Sequence, residues 1–120
     1  MEKLERPIIV PWDFSQVAEN AFQHAVNISK VLNREILLLH IVTDSKDADS
    51  KMTELEASSE KLGNEYGKKP YVEVVGGSIF KAIGDSATEK KAEMIIMGTH
   101  GMKGAQKLFG SKALKVVVSS

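Results

Sequence analysis

Apolar residues along this chain fall into short unbroken runs and into stripes at helical spacing, and the two arrangements alternate, which predicts strands and helices in turn. Pro7-Ile8-Ile9-Val10-Pro11-Trp12 is the first compact run. Pro11 suits the end of that strand better than its middle, because proline has no N–H to give to a ladder. A first helix should follow directly. Ser15 stands where a cap is needed, and Ala18, Ala21, Phe22, Ala25, Val26, Ser29 and Leu32 share one stripe whose small side chains allow close approach to a sheet. Glu35-Ile36-Leu37-Leu38-Leu39-His40-Ile41-Val42 shows no polar alternation, the pattern of a central strand covered on both faces.

Thr43 to Ser50 is polar and reads as a loop into a charged helix from about Lys51 to Tyr66. Met52, Leu55, Leu62 and Tyr66 give that helix a narrow stripe, while Ser58, Ser59 and Gly63 weaken it; it is expected to cover little core and to be partly mobile. Tyr71-Val72-Glu73-Val74-Val75 alternates as a half-exposed strand does, and Gly76-Gly77-Ser78 turns into a helix capped by Ser78 with Ile79, Ala82, Ile83 and Ala87 buried. Glu93-Met94-Ile95-Ile96-Met97 is the fourth strand, and Ala113, Leu114, Val116 and Val117 are read as beginning a last helix. This order predicts an α/β fold, a three-layer sandwich with a parallel sheet, whose ligand site lies beyond the carboxyl ends of the strands where strand order reverses. Pro11-Trp12-Asp13, Ile41-Val42 and the loop after Met97 would converge there.

Composition narrows the function classes. The 120 residues suit one domain spanning 1–120, and sixteen basic residues balance sixteen acidic ones, so no overall field favours nucleic acid or an anionic membrane. Any anion site must be local. Without cysteine there is no disulfide, thiolate metal site or thiol catalysis. The charged amino-terminal residues do not resemble a signal peptide, and no run approaches membrane-spanning length, so a cytoplasmic protein is expected.

The chemistry concentrates between Met97 and Ser111, where Gly98, Gly101, Gly104 and Gly110 separate an apolar run from an apolar-periodic segment. Glycines let a backbone approach a bound group closely, and Gly110-Ser111 at a helix start would suit a phosphate. A Walker loop is excluded, since Gly104 and Gly110 enclose five residues and Ser111 precedes Lys112. A dinucleotide fingerprint fails as well, for want of the closely spaced first glycine pair. Three scattered histidines form no metal set, and no acid, base and nucleophile accompany His40 or His100, so no catalytic and no metal residue is assigned.

Ile9-Val10-Pro11-Trp12-Asp13-Phe14-Ser15, Leu38-Leu39-His40-Ile41-Val42 and Met97-Gly98-Thr99-His100-Gly101 with Gly110-Ser111 resemble the universal stress protein family over nearly the whole chain. The nucleotide-binding branch of that family carries glycine, two residues, glycine, nine residues, glycine and a small hydroxyl residue. Here only Met102 to Phe109, eight residues, separate Gly101 from Gly110. The resemblance implies an adenine nucleotide alpha hydrolase-like fold and a regulatory module binding ATP or AMP at the carboxyl ends of strands one, two and four. It implies that Asp13 and Ile41 hold the adenine, that Pro11 and Met97 pack around the nucleoside, that Gly98 and Gly101 lie close to ribose and phosphates, and that Gly110, Ser111 and Lys112 meet phosphate oxygens. Mg²⁺ would arrive only with the nucleotide.

Other readings stand beside this one. Asp13 could serve the helix start alone, and Gly98 and Gly101 a tight turn. The shortened loop either displaces the phosphate-facing amides or is absorbed by Gly104. A domain that binds no nucleotide and serves dimerisation is the alternative function, and a nucleotide hydrolase a less supported one, with weak ATP hydrolysis the most expected. Family members usually continue to a fifth strand. Its apparent absence after Val118 predicts an open edge on strand four, a homodimer, and a chain cut from something longer.

Overall fold

Ile8, Ile9 and Val10 have no exposed surface, and the strand they form, β1 (Ile8–Pro11), is the middle of a five-stranded parallel sheet. The computed structural model describes residues 4–99 and 113–119. From β1 the chain continues through α1 (Gln16–Leu32), β2 (Ile36–Val42), α2 (Ala48–Tyr66), β3 (Tyr71–Gly76), α3 (Ile79–Lys90), β4 (Met94–Thr99) and β5 (Leu114–Ser119). The spatial order is β3-β2-β1-β4-β5, so the chain builds outward from β1 on one side and then crosses to build on the other.

Two-residue periodicity divides the strands between two cores. Ile8, Val10, Ile36, Leu38, Met94 and Ile96 point to one face, where Phe22 and Ala25 of α1 and Leu55 and Leu62 of α2 cover them. Ile9, Leu37, Leu39, Ile95 and Met97 point to the other, against Ile83 and Ala87 of α3. Burial on both faces explains why β2 carries no polar alternation until His40. Parallel strands require crossovers, and the right-handed rule puts α1 and α2 on one face and α3 on the opposite one once the direction of building reverses.

The helix starts are set locally. Ser15 is extended (φ −93°, ψ 163°) and its hydroxyl accepts from the Ala18 N–H at 3.1 Å, the expected cap of α1. Ser78 occupies the corresponding place before α3 but makes no side-chain cap bond. Ile79 is not part of that helix's buried side, as it is 48% exposed; Ala82, Ile83 and Ala87 are buried as expected. Helix α2 covers more core than its composition suggests. Leu55 and Leu62 are buried completely or nearly so, and the buried Ser59 is satisfied by donating to the Pro70 carbonyl at 2.6 Å. Tyr66 joins α2 to α1, donating to Glu19 Oε2 at 2.8 Å and accepting from Gln23 Nε2 at 2.7 Å, with its ring edge on Phe22.

The segment read as the start of a last helix is instead β5. Val116, Val117 and Val118 are three β-branched residues in succession, a composition that favours a strand. Val116 and Val118 pack on one core and Ala113 and Val117 on the other, which is strand periodicity. The expected missing strand is therefore present, and β4 has no open edge: it pairs with β5 from Met94↔Leu114 to Thr99↔Ser119.

Gly98 in β4 lies directly against the start of α1. A Cβ there would sit 2.3 Å from the Val17 carbonyl oxygen and 2.4 Å from Val17 Cγ1. Backbone cannot yield as a flexible side-chain tip does, so Gly98→Ala is expected to destabilise the fold by about 1–3 kcal/mol, the usual cost of overpacking. Urea unfolding checks this. The midpoint should fall with an unchanged m-value, and an unchanged midpoint would show that α1 moves aside freely.

Candidate functional site

The strand order places a switch point between β1 and β4, with β2 on the other side of β1, and their carboxyl ends share one edge of the sheet. Pairing of Ile9 with Ile95 puts Pro11 and Met97, each two residues further on, on the same face beside that edge. Ile41 is on this face too, packed against the core that Leu39 and Met97 share. Three apolar residues distant in sequence thus share one face at the carboxyl edge of the sheet. Met97 is buried, while Pro11 and Ile41 are partly exposed.

The backbone around Ile41 is placed by the hydrogen bonds on either side of it. Trp12 donates its N–H to the Leu39 carbonyl at 2.8 Å, and Gly77 donates to the Val42 carbonyl at 3.1 Å. Backbone groups of alternate strand residues point to opposite sides, so the N–H and C=O of Ile41 point as those of Leu39 do, toward β1. At that level β1 has ended and the chain is turning into α1. The N–H and C=O of Ile41 on that side therefore have no strand partner among the described residues.

Asp13 is exposed at this turn. Its Oδ1 accepts from the Ser15 N–H at 3.1 Å and from the Ser15 hydroxyl, and that hydroxyl in turn caps α1. The carboxylate is thus fixed in direction by the helix start. Between them Phe14 adopts φ 64°, a left-handed conformation that costs a bulky residue about 1–2 kcal/mol. Its ring meets His40 edge-on at 5.1 Å, and Lys51 Nζ lies 5.4 Å from the ring centroid. His40 donates from Nδ1 to the Trp12 carbonyl at 2.7 Å, which holds the strand end against the turn. Sequence reading assigned no role to Phe14, and nothing in the sequence marks a phenylalanine for positive φ.

Gly98 sits at the carboxyl end of β4, with its Cα turned toward α1. Gly101, Gly110, Ser111 and Lys112, and His100, lie outside the described residues. Of the expected set, Pro11, Asp13, Ile41, Met97 and Gly98 lie at the carboxyl ends of β1, β2 and β4, with Gly98 facing α1 and Ile41 and Met97 facing the opposite core. This edge of the sheet carries a carboxylate at Asp13, the backbone of Ile41 and the apolar side chains of Pro11, Ile41 and Met97. Among the described residues no group of His, Asp and Glu could hold a metal ion, and no helix is long and apolar enough to cross a membrane. A cavity of about 510 Å³ lies elsewhere, at the amino-terminal ends of β2 and β3 beside Glu35, Lys69 and Tyr71.

Comparison with known proteins agrees with this architecture. A universal stress protein of Methanocaldococcus jannaschii is 30% identical over 132 residues, covering 97% of this chain and 78% of that protein. The crystal structure of a universal stress protein from Archaeoglobus fulgidus DSM 4304 superposes with a TM-score of 0.78 at 25% identity, over 95% of this chain. This chain spans only 44% of that one. A structure of a universal stress protein from Archaeoglobus fulgidus in complex with dAMP has a TM-score of 0.80 at 17% identity, covering 95% of this chain and 98% of that one. Since the family model also matches residues 5–120, the chain belongs to the universal stress protein family.

Proposed function

We propose that this chain is a regulatory module that binds an adenine nucleotide, ATP or AMP, in the crevice at the carboxyl ends of β1, β2 and β4. The observation that carries this reading is the Ile41 backbone, left without a strand partner where β1 ends and the chain turns through Asp13, since an adenine edge with its ring nitrogen and amino group would complement a free backbone N–H and C=O. Pro11 and Met97 supply the apolar wall for the nucleoside. The dAMP complex of the structural relative supports the ligand class. In this reading Gly98 and Gly101 adjoin the ribose and phosphates, and Gly110, Ser111 and Lys112 take the phosphate oxygens, with Mg²⁺ accompanying a polyphosphate. No catalytic residue is assigned.

A ligand that binds only the native state raises stability by mass action, about 2.7 kcal/mol at a hundredfold excess over Kd. AMP and ATP at millimolar concentration are expected to raise the melting temperature by several degrees. In Asp13→Ala that increment should disappear when measured from the variant's own ligand-free value, which removes the loss of helix-start support from the comparison. No shift with either nucleotide overturns the proposal.

A second reading has one observation in its favour: Asp13 already serves the start of α1. There the domain associates without nucleotide. Both readings include self-association, now through β5, which is paired on one side by β4 and has no strand on its other side among the described residues. Leu114 at its start is 59% exposed. An unpaired apolar edge favours a second copy. Light scattering after size exclusion should give twice the monomer mass; a monomer at all concentrations contradicts association.

A further inference from the structure

The ladder between β1 and β2 stops one rung short of where its pattern would carry it. Ile8 donates its N–H to the Glu35 carbonyl at 2.9 Å, and Trp12 donates to the Leu39 carbonyl at 2.8 Å. In a parallel ladder, a residue whose N–H reaches one carbonyl of its neighbour receives at its own carbonyl the N–H found two residues further along that neighbour. The Trp12 carbonyl should accordingly accept from the Ile41 N–H. It does not: the paired register ends at Pro11↔Leu39, and no bond joins the Ile41 N–H to Trp12. His40 Nδ1 takes that acceptor instead, at 2.7 Å. A carbonyl only accepts, so Nδ1 carries the proton, and a side-chain donor stands where the ladder would have put a main-chain one.

Two groups of the proposed site are governed by this exchange of donors. Trp12 is buried, and a buried carbonyl left open is costly. With His40 as its partner, the end of β1 is satisfied without drawing on Ile41, whose N–H stays free. The same carbonyl belongs to the planar peptide unit that joins Trp12 to Asp13, so the bond also orients the backbone from which Asp13 projects. On the other side of Asp13, the His40 ring meets the Phe14 ring edge-on at 5.1 Å, where Phe14 holds φ 64°. His40 therefore grips the chain immediately before and immediately after Asp13. Its own side chain is on the face opposite Ile41 and Met97, because successive side chains of a strand alternate.

We propose that His40 is a positioning residue of the nucleotide site. By occupying the Trp12 carbonyl it keeps β1 from claiming the Ile41 N–H, leaves that donor for the adenine edge, and fixes the peptide that carries Asp13. The role rests on the adenine-nucleotide reading of this crevice, and His40 acts through Ile41 and Asp13.

Amide hydrogen exchange of the ¹⁵N-labelled full chain without ligand tests the exchange of donors, and calorimetric titration with AMP tests its consequence. In the unaltered chain the Ile41 amide should exchange at least about tenfold faster than that of Leu39, which the ladder holds. His40→Phe keeps a ring against Phe14 and loses the donor. The Trp12 carbonyl then takes the Ile41 N–H, so Ile41 exchange should slow to the Leu39 range and AMP should bind about tenfold more weakly, the worth of one hydrogen bond. His40→Asn loses the ring but keeps an N–H in the place of Nδ1, so Ile41 should stay fast and AMP affinity within about twofold of the unaltered chain. A packing role alone predicts the reverse order of the two variants. The inference is overturned by an Ile41 amide as slow as that of Leu39 in the unaltered chain, by a fast Ile41 amide in His40→Phe, or by AMP binding that survives His40→Phe and is lost in His40→Asn. If His40→Phe does not fold, the unaltered chain and His40→Asn decide. An unaltered chain that binds no AMP overturns the nucleotide reading, while the exchange rates still decide whether His40 displaces Ile41 from the Trp12 carbonyl.

Discussion

Everything in this fold depends on β1 being hydrogen-bonded on both edges and covered on both faces. It pairs with β2 from Ile8↔Ile36 to Pro11↔Leu39 and with β4 at Ile8↔Met94 and Ile9↔Ile95, while Ile8 and Ile9 feed opposite cores. A strand buried in this way cannot slip by one residue without exchanging its two faces. Its register therefore fixes where it ends, and its end is the edge at which the proposed site lies. Because β1 stops at Pro11 while β2 runs to Val42, the backbone of Ile41 is left without a strand partner on that side. The same ending sends the chain through Asp13, Phe14 and Ser15 into α1.

That turn links the end of β1 to the start of α1. Asp13 orients Ser15, Ser15 caps α1, and α1 packs on Gly98 of β4 closely enough to exclude any side chain there. The two sides of the switch point are thus held in position by one helix. His40, Phe14 and Lys51 bring β2 and α2 into contact with the same turn.

Much of this was legible in the sequence where one pattern has one outcome. The unbroken runs around Ile9 and Leu38 had to be doubly covered strands, and Ser15 before the Ala18-Ala21-Phe22-Ala25 stripe had to open a helix. Asp13, Ile41 and Met97 could be placed at strand ends for that reason. Short apolar segments were less decisive. Ala113 to Val117 fits a helix start as easily as a strand until β4 is seen to need a partner, and Ile79 fits the stripe of α3 although its side chain is exposed. Close approach cannot be read from residue type either. Gly98 looked like a loop residue, yet its hydrogen side chain is required by Val17, which is distant in the sequence and meets it only in the fold. Positive φ at Phe14 follows from tertiary contacts that no local pattern encodes.

Family membership and the strand-end geometry together make the crevice at the switch point the centre of the functional account. A crystal of the chain soaked with AMP tests it most directly. The account predicts density for the base at the Ile41 backbone and the Asp13 carboxylate, with the nucleoside against Pro11 and Met97 and the phosphate directed past Gly98. Density for the nucleotide at another surface, or an empty crevice at saturating AMP, would contradict it.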